Sequence, residues 1–187
     1  YVEANFRVFP AGSDGRVYIM PKTGGRAELL STNAVIRACP TLGRSAGTLS
    51  ASAREAATVL GADAEKRAPH PIALRAHHSR DRIVLDLAQS GNTRCVIVTA
   101  SGWTVEDTPP SDVIFTDSDL LPLPDPVRGG HVDELAAVLR WPTDEDRWLL
   151  VKGWLGAVLF ADMPRPMLAL LGEEGSGKTT AGRFVAS

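Results

Sequence analysis

The sequence predicts an α+β N-terminal domain, an antiparallel meander with short helices, followed by the beginning of an α/β P-loop NTPase core. Three observations predict it. Residues 72–106 run in short apolar segments separated by Gly and Asn turns, residues 107–130 are broken by repeated prolines, and residues 168–179 pass from an apolar run into Gly-Glu-Glu-Gly-Ser-Gly-Lys-Thr. The expected division is residues 1–120 as an accessory domain, 121–130 as a Pro/Gly linker, and 131–187 as the start of an ATPase domain with helices, a strand and a Walker A loop.

From the N-terminus, Phe6 to Phe9 and Arg16 to Met20 alternate in polarity, and residues 11–15 supply a turn between them, which is a hairpin pattern. A second turn at 21–25 leads toward a third strand at 26–30. Helices are expected over 33–39 and 51–66. In the second, Ala53, Ala56, Ala57, Leu60 and Ala64 share one face, small enough for close packing against a sheet or another helix. Strands follow near 72–77, 82–87, 94–98 and 103–106, with turns at 89–92 and 101–102, an antiparallel meander of three or four strands. Trp103, just after a glycine turn, reads as a core residue closing the sheet, with a base-stacking platform as the alternative.

Pro109, Pro110, Pro122, Pro124 and Pro126 then prevent regular structure, because proline fixes φ and lacks an N–H. This stretch is a linker or, alternatively, a loop wrapped within one domain. A helix is expected over 132–139, with Asp133 and Glu134 in its first turn. Residues 143–146 read as the cap of a longer helix through Phe160, whose apolar face carries Trp148, Leu149, Val151, Leu155, Val158 and Leu159. Residues 167–171 read as a short buried parallel strand, and a helix begins around 180.

The pattern G-x-x-x-x-G-K-[ST] is complete from Gly172 to Thr179. The expected nucleotide-binding residues are Gly172, Glu173, Glu174, Gly175, Ser176, Gly177, Lys178, Thr179 and Thr180. The glycines permit φ > 0, which turns successive N–H groups toward phosphate oxygens, and the following helix directs its positive end to the same place. Lys178 is expected to reach the β- and γ-phosphates of ATP, and the Thr179 hydroxyl to meet Mg2+. Glu173 and Glu174 are two carboxylates beside a polyanion, and suit the site only if they point to solvent. No catalytic residue is assigned, since the acidic strand and water-polarising groups of such an NTPase are expected beyond Ser187. The chain, which starts with Tyr, is expected to be part of a longer one. Its strand at 167–171 is expected to lack neighbours, and the 187-residue chain to show no ATPase activity alone.

Composition narrows the alternatives. At 44% hydrophobic and 22% charged residues, with a formal charge of −2, the chain is an ordinary globular sequence and not a uniformly basic nucleic-acid binder. The charge is uneven: residues 1–75 carry 10 Lys/Arg against 6 Asp/Glu, and residues 76–187 carry 10 against 16. Arg7, Arg16, Lys22 and Arg26 lie on or beside the first hairpin, with Arg37 and Arg44 soon after, so a basic patch that meets DNA phosphates is one reading, and a solvated face the other. Cys39 and Cys95 have no metal or disulfide spacing, and His77 and His78 point to opposite faces of a strand. The cysteine usage, the absence of a signal peptide and the lack of a membrane span predict a cytoplasmic protein.

The runs Arg82-Ile83-Val84-Leu85-Asp86-Leu87 and Gly102-Trp103-Thr104-Val105-Glu106-Asp107-Thr108-Pro109-Pro110 resemble those of a family of actinobacterial ATP-binding proteins associated with phages and mobile elements. So do the residues from Leu121 to Gly130, those from Asp144 to Trp148, and the loop from Gly172 to Thr179. The resemblance spans residue 70 to the end, and more loosely residues 6–66. It implies that the P-loop opens an ATPase domain distantly similar to that of primase–helicases, acting in DNA replication or handling of the element. Only Gly172, Gly177, Lys178 and Thr179 carry over as functional positions. The expected partners are nucleotide, DNA and, for the full-length protein, further copies of itself, with no membrane. The other reading is a protein-interaction or regulatory module, switched by nucleotide and with no nucleic-acid role.

Overall fold

A short helix that the sequence pattern does not announce, α1 (Val2–Asn5), leads into the first hairpin. There β1 (Phe6–Pro10) pairs antiparallel with β2 (Val17–Pro21), with Val8 opposite Ile19. The computed structural model describes residues 2–12, 15–39, 46–117, 119–141, 146–160, 163–164 and 166–186. They divide into two compact units, Tyr1–Pro124 and Asp125–Ser187. The architecture is α+β, with two antiparallel sheets and several helices.

In the first unit, β3 (Glu28–Leu29) completes a three-stranded sheet but covers only two of the residues expected to form it. Ala27 is drawn away to bridge Thr116, which shortens the pairing with β2. One face of this sheet is covered by α2 (Thr32–Ala38) and α3 (Ala46–Ala64), which begins five positions before the expected start. The Ser31 hydroxyl caps α2 by accepting from the Ala34 N–H at 3.1 Å. Val8 and Ile19 pack there against Ala34, Ala38 and Ala64, with Leu60 and Leu30 around them. Alanines at these positions let helix and sheet approach closely, as the periodicity of α3 requires.

The second sheet follows in chain order: β4 (Ala76–His78), β5 (Arg82–Asp86), β6 (Cys95–Thr99) and β7 (Gly102–Glu106), all antiparallel. Gly102 opens β7 at φ 129°, a conformation that side chains rarely adopt. Trp103 stands opposite Val98 and is only partly buried, so it does not close the core. That role falls to Ala73, Val84, Cys95, Val113 and Phe115.

Residues 113–117 join the two sheets. The Ala73 N–H donates to the Ile114 carbonyl at 2.9 Å and the Thr116 N–H to the Ala73 carbonyl at 3.0 Å. On the other edge, the Ala27 N–H donates to the Phe115 carbonyl at 2.8 Å and the Asp117 N–H to the Ala27 carbonyl at 2.7 Å. Side chains alternate accordingly, Val113 and Phe115 entering the core of the second sheet and Ile114 packing with Phe9, Met20 and Ala27 of the first. Asp86, only 1% exposed, lies at the end of β5. It accepts two hydrogen bonds from Arg26, from Nη2 at 2.7 Å and from Nε at 3.0 Å, and one from the Ala88 N–H at 2.9 Å. Two directed donors plus a backbone amide are what a buried carboxylate needs to offset its desolvation. Leu121 and Leu123 remain bonded to this unit, the first accepting from Arg75 at 2.6 Å and the second donating to Leu87 at 2.8 Å. The division between units thus falls inside the proline-rich stretch.

In the second unit, α4 (Val132–Leu139) starts with a capping box in which the His131 N–H donates to the Glu134 carboxylate at 3.1 Å and His131 Nδ1 accepts from the Asp133 N–H. It ends at Arg140 in the left-handed region, φ 53°. Next comes α5 (Asp146–Ala157); the expected capping residues 143–145 lie outside the described residues. Trp148 is buried at 1% exposure, but Leu149 is 65% exposed and leaves the predicted apolar face. The helix stops at Ala157, short of Phe160, in bonds of tighter pitch from Leu159 to Gly156 and Phe160 to Ala157. The Trp148 indole stacks edge-on against Trp141 at 6.2 Å and donates to Asp133 at 2.6 Å. That hydrogen bond, helped by the Lys152 ammonium at 3.4 Å and opposed by desolvation, holds the Asp133 carboxyl below its ordinary range. Among the described residues no helix is long and apolar enough to cross a membrane.

Asp86→Ala leaves Arg26 facing the core without a counter-charge. It is expected to cost about 3–5 kcal/mol in urea denaturation, and a loss under 1 kcal/mol would show that the pair does not hold the sheets together. Burial, with Glu106 and Asp86 nearby, pushes the Cys95 thiol up from 9.0 to about 11. A raised thiol pKa contributes stability that is complete below the ordinary value and lost as pH climbs through about 11. The urea midpoint should therefore fall more steeply above pH 9 in the wild type than in Cys95→Val; parallel curves would refute this. Asp133 acts in the opposite sense, since a depressed carboxyl contributes stability above its ordinary value of 3.8 that disappears as pH falls through its lower folded value. Trp148 fluorescence should accordingly report an acid transition below pH 4 that moves upward in Lys152→Met.

Candidate functional site

The P-loop sequence lies between two anchors in the second unit. On the N-terminal side, the Trp154 indole of α5 donates to the Pro166 carbonyl at 2.8 Å. On the C-terminal side, Leu170 lies against α6 (Lys178–Ala186), its Cδ1 3.7 Å from where a Cβ on Gly182 would stand. Residues 167–171, expected as a buried strand, pair with no other strand among the described residues. Met167 and Leu171 are 92% and 93% exposed. An apolar run specifies burial, yet a parallel strand also needs a partner edge, and the strands described are all taken up in the two antiparallel sheets.

Between the anchors, the loop folds tightly on itself. Gly175 and Gly177 both sit in the left-handed region, at φ 78° and 79°, where a side chain would be strained. The Ser176 N–H donates to the Glu173 carbonyl at 3.3 Å. A Cβ on Gly172 would stand 2.9 Å from the Ser176 hydroxyl, so a side chain here would make Ser176 shift. Lys178 is the first residue of α6, and its ammonium folds back to donate to the Glu173 carbonyl and to the Ser176 hydroxyl, the latter at 3.2 Å. The Ala181 N–H donates to the Gly177 carbonyl at 2.9 Å, the first full turn of the helix. All nine residues expected at the site thus fall on one short segment, with Lys178 partly buried and Gly172, Glu173, Glu174, Gly175, Ser176, Gly177, Thr179 and Thr180 exposed. Glu173 and Glu174, the residues hardest to reconcile with an anion, lie on the solvent side.

What this arrangement can do follows from its groups. A glycine-shaped loop at the start of a nine-residue helix offers backbone donors and a positive helix end, and Lys178 adds a charge at its first position. Thr179 and Thr180 place two hydroxyls in the first turn of the same helix. These donors fit a polyphosphate. Among the described residues no group of three or more His, Cys, Asp or Glu could hold a metal ion by itself. A cation bound together with phosphates would meet the Thr179 hydroxyl.

The basic patch expected on the first hairpin is partly dismantled. Arg26 is turned onto Asp86, and Arg37 is paired with Glu28. Arg44 lies outside the described residues. Arg16 precedes β2 and is exposed. Arg7 and Lys22 remain, and they line a cavity of about 330 Å³ together with Phe6, Phe9, Arg67 and His70. The last two were invisible to the sequence reading, because Arg67 follows the end of α3 and His70 is placed by a parallel bridge to Ala11.

Protein-family models, curated proteins and solved structures were compared with the chain, and none of them matches.

Proposed function

We propose that residues 172–180 bind ATP with Mg2+, and that the protein is a P-loop ATP-binding protein whose wider role is handling DNA of a phage or mobile element. The observation that carries the nucleotide site is the loop geometry. Gly175 and Gly177 are left-handed, and Gly177 leads directly into α6 with Lys178 at its first position. The wider role is drawn from the sequence resemblance alone.

Bound Mg2+–ATP supplies an electrophilic phosphorus and a divalent charge. The chain's own contribution is binding and orientation. Backbone N–H groups of the loop and the first turn of α6 would hold the phosphates, and the lack of a side chain at Gly172 spares a clash with the Ser176 hydroxyl. The Lys178 ammonium, which donates to the Glu173 carbonyl, would be the side chain that holds the phosphate oxygens. Thr179 would provide a hydroxyl to the cation. None of these groups activates a water, so the segment binds and positions, and hydrolysis requires further groups.

Lys178→Ala is expected to weaken ATP binding about 10- to 100-fold, the equivalent of one charge-assisted contact of about 1.5–3 kcal/mol. Titration of a fluorescent ATP analogue with Mg2+ present measures it. Equal affinity in the variant would remove Lys178, and with it the P-loop reading.

A further inference from the structure

We propose that the cavity beside the first hairpin binds a nucleoside phosphate, either a free nucleotide or one unit of a single-stranded nucleic acid. The proposal rests on the first unit alone and is independent of the P-loop. The cavity measures about 330 Å³, within the roughly 300–1,000 Å³ typical of small-molecule sites. Its lining divides by chemistry. Phe6 and Leu60, both partly buried, present apolar surface, while Arg7, Lys22 and Arg67 bring positive charge.

The decisive feature is how those cations are partnered. Arg67 is satisfied, donating to Asp63 at 2.6 Å and to the Val8 carbonyl at 3.0 Å. Arg7 is not paired with a carboxylate among the described residues. Its Nη2 lies 3.4 Å from His70 Nε2, and its guanidinium carbon lies 5.8 Å from the centre of the Phe9 ring. An imidazole nitrogen and a ring face are weak substitutes for an anion. Lys22, on the turn after β2, has no ion pair among the described residues. Of the charged groups lining the cavity, Glu3 alone is acidic. With Arg67 neutralised by Asp63, Arg7 and Lys22 against Glu3 leave one net positive charge, which one phosphodiester balances.

The ring stack fixes these groups in place. His70 packs edge-on against Phe9 at 5.3 Å, and its backbone N–H donates to the Pro10 carbonyl at 3.0 Å, which ties the hairpin to the segment after α3. A flat base fits the apolar side and a phosphate the guanidinium and ammonium. Such a site favours an unpaired base, because a base inside a duplex cannot leave its stack without cost.

Fluorescence anisotropy of a short labelled oligothymidylate at about 50 mM salt tests this, since phosphate contacts weaken steeply as salt rises. Binding is expected, weakened about tenfold by Lys22→Glu, which lies on an exposed turn, and similarly by Arg7→Gln, with unchanged circular dichroism in both. It should be indifferent to Lys178→Ala, which separates this cavity from the P-loop. Displacement by thymidine monophosphate but not by inorganic phosphate assigns the free nucleotide as ligand; displacement by neither assigns the strand. Absence of binding at low salt overturns the proposal. So does binding insensitive to both cavity variants, loss in Lys178→Ala, or displacement by inorganic phosphate as effective as by the nucleotide.

Discussion

The ion pair between Arg26 and Asp86 fixes how the first unit is assembled. It joins residues 60 positions apart, one beside the first sheet and one at the end of β5, and its carboxylate is almost wholly withdrawn from water. A charge in that position is tolerable only when its donors arrive with correct geometry. The bidentate fork of Arg26 and the Ala88 amide meet that condition only if the two sheets lie where the 113–117 segment places them. The backbone bonds of Ala27 next door and the side-chain pair of Arg26 therefore enforce the same arrangement. Neither sheet alone would keep the buried carboxylate partnered.

Elements defined by near neighbours were legible in the sequence. The first hairpin, the meander and the helix at 132–139 each follow from alternation, glycine turns or acidic residues in a first turn, and all three form. What was hidden depends on distant partners. The 113–117 segment is too short and too close to prolines to read as a strand, and its structure comes from Ala27 and Ala73 on its two edges. β3 is short for the same reason. The run at 167–171 has the apolar residues of a strand, but a strand forms only against a partner edge, and, as expected, none is described beside it. Leu149 shows the limit of a helical stripe: the tighter demand of Trp148 for its hydrogen bond to Asp133 sets which side of α5 faces inward.

The candidate phosphate site was nearly all visible, because a P-loop is local chemistry. Three glycines, a lysine and a threonine within eight positions specify it, and no distant partner is needed to bend the chain at Gly175 and Gly177. The hairpin cavity is the opposite case. Arg7 and Lys22 stood out by charge, yet the same signal also marked Arg26 and Arg37, which the fold occupies with Asp86 and Glu28. Charge in a sequence counts the cations; only the fold determines which of them already have a counter-ion.

The interleaving of residues 113–117 between the sheets also bears on the order in which a ribosome releases this chain. Phe9, Met20 and Ala27 emerge early, but Ile114, which packs with them, emerges only after the whole second sheet has been made. At roughly 5–20 residues per second, that leaves the apolar underside of the first hairpin waiting on the order of 5–20 s, although hairpins themselves close in about 1–10 μs. Completion is thus limited by synthesis and long-range docking and not by local structure. During that interval the nascent hairpin presents an open, sticky face, a natural substrate for chaperones and the point at which crowded expression would divert the chain toward aggregates.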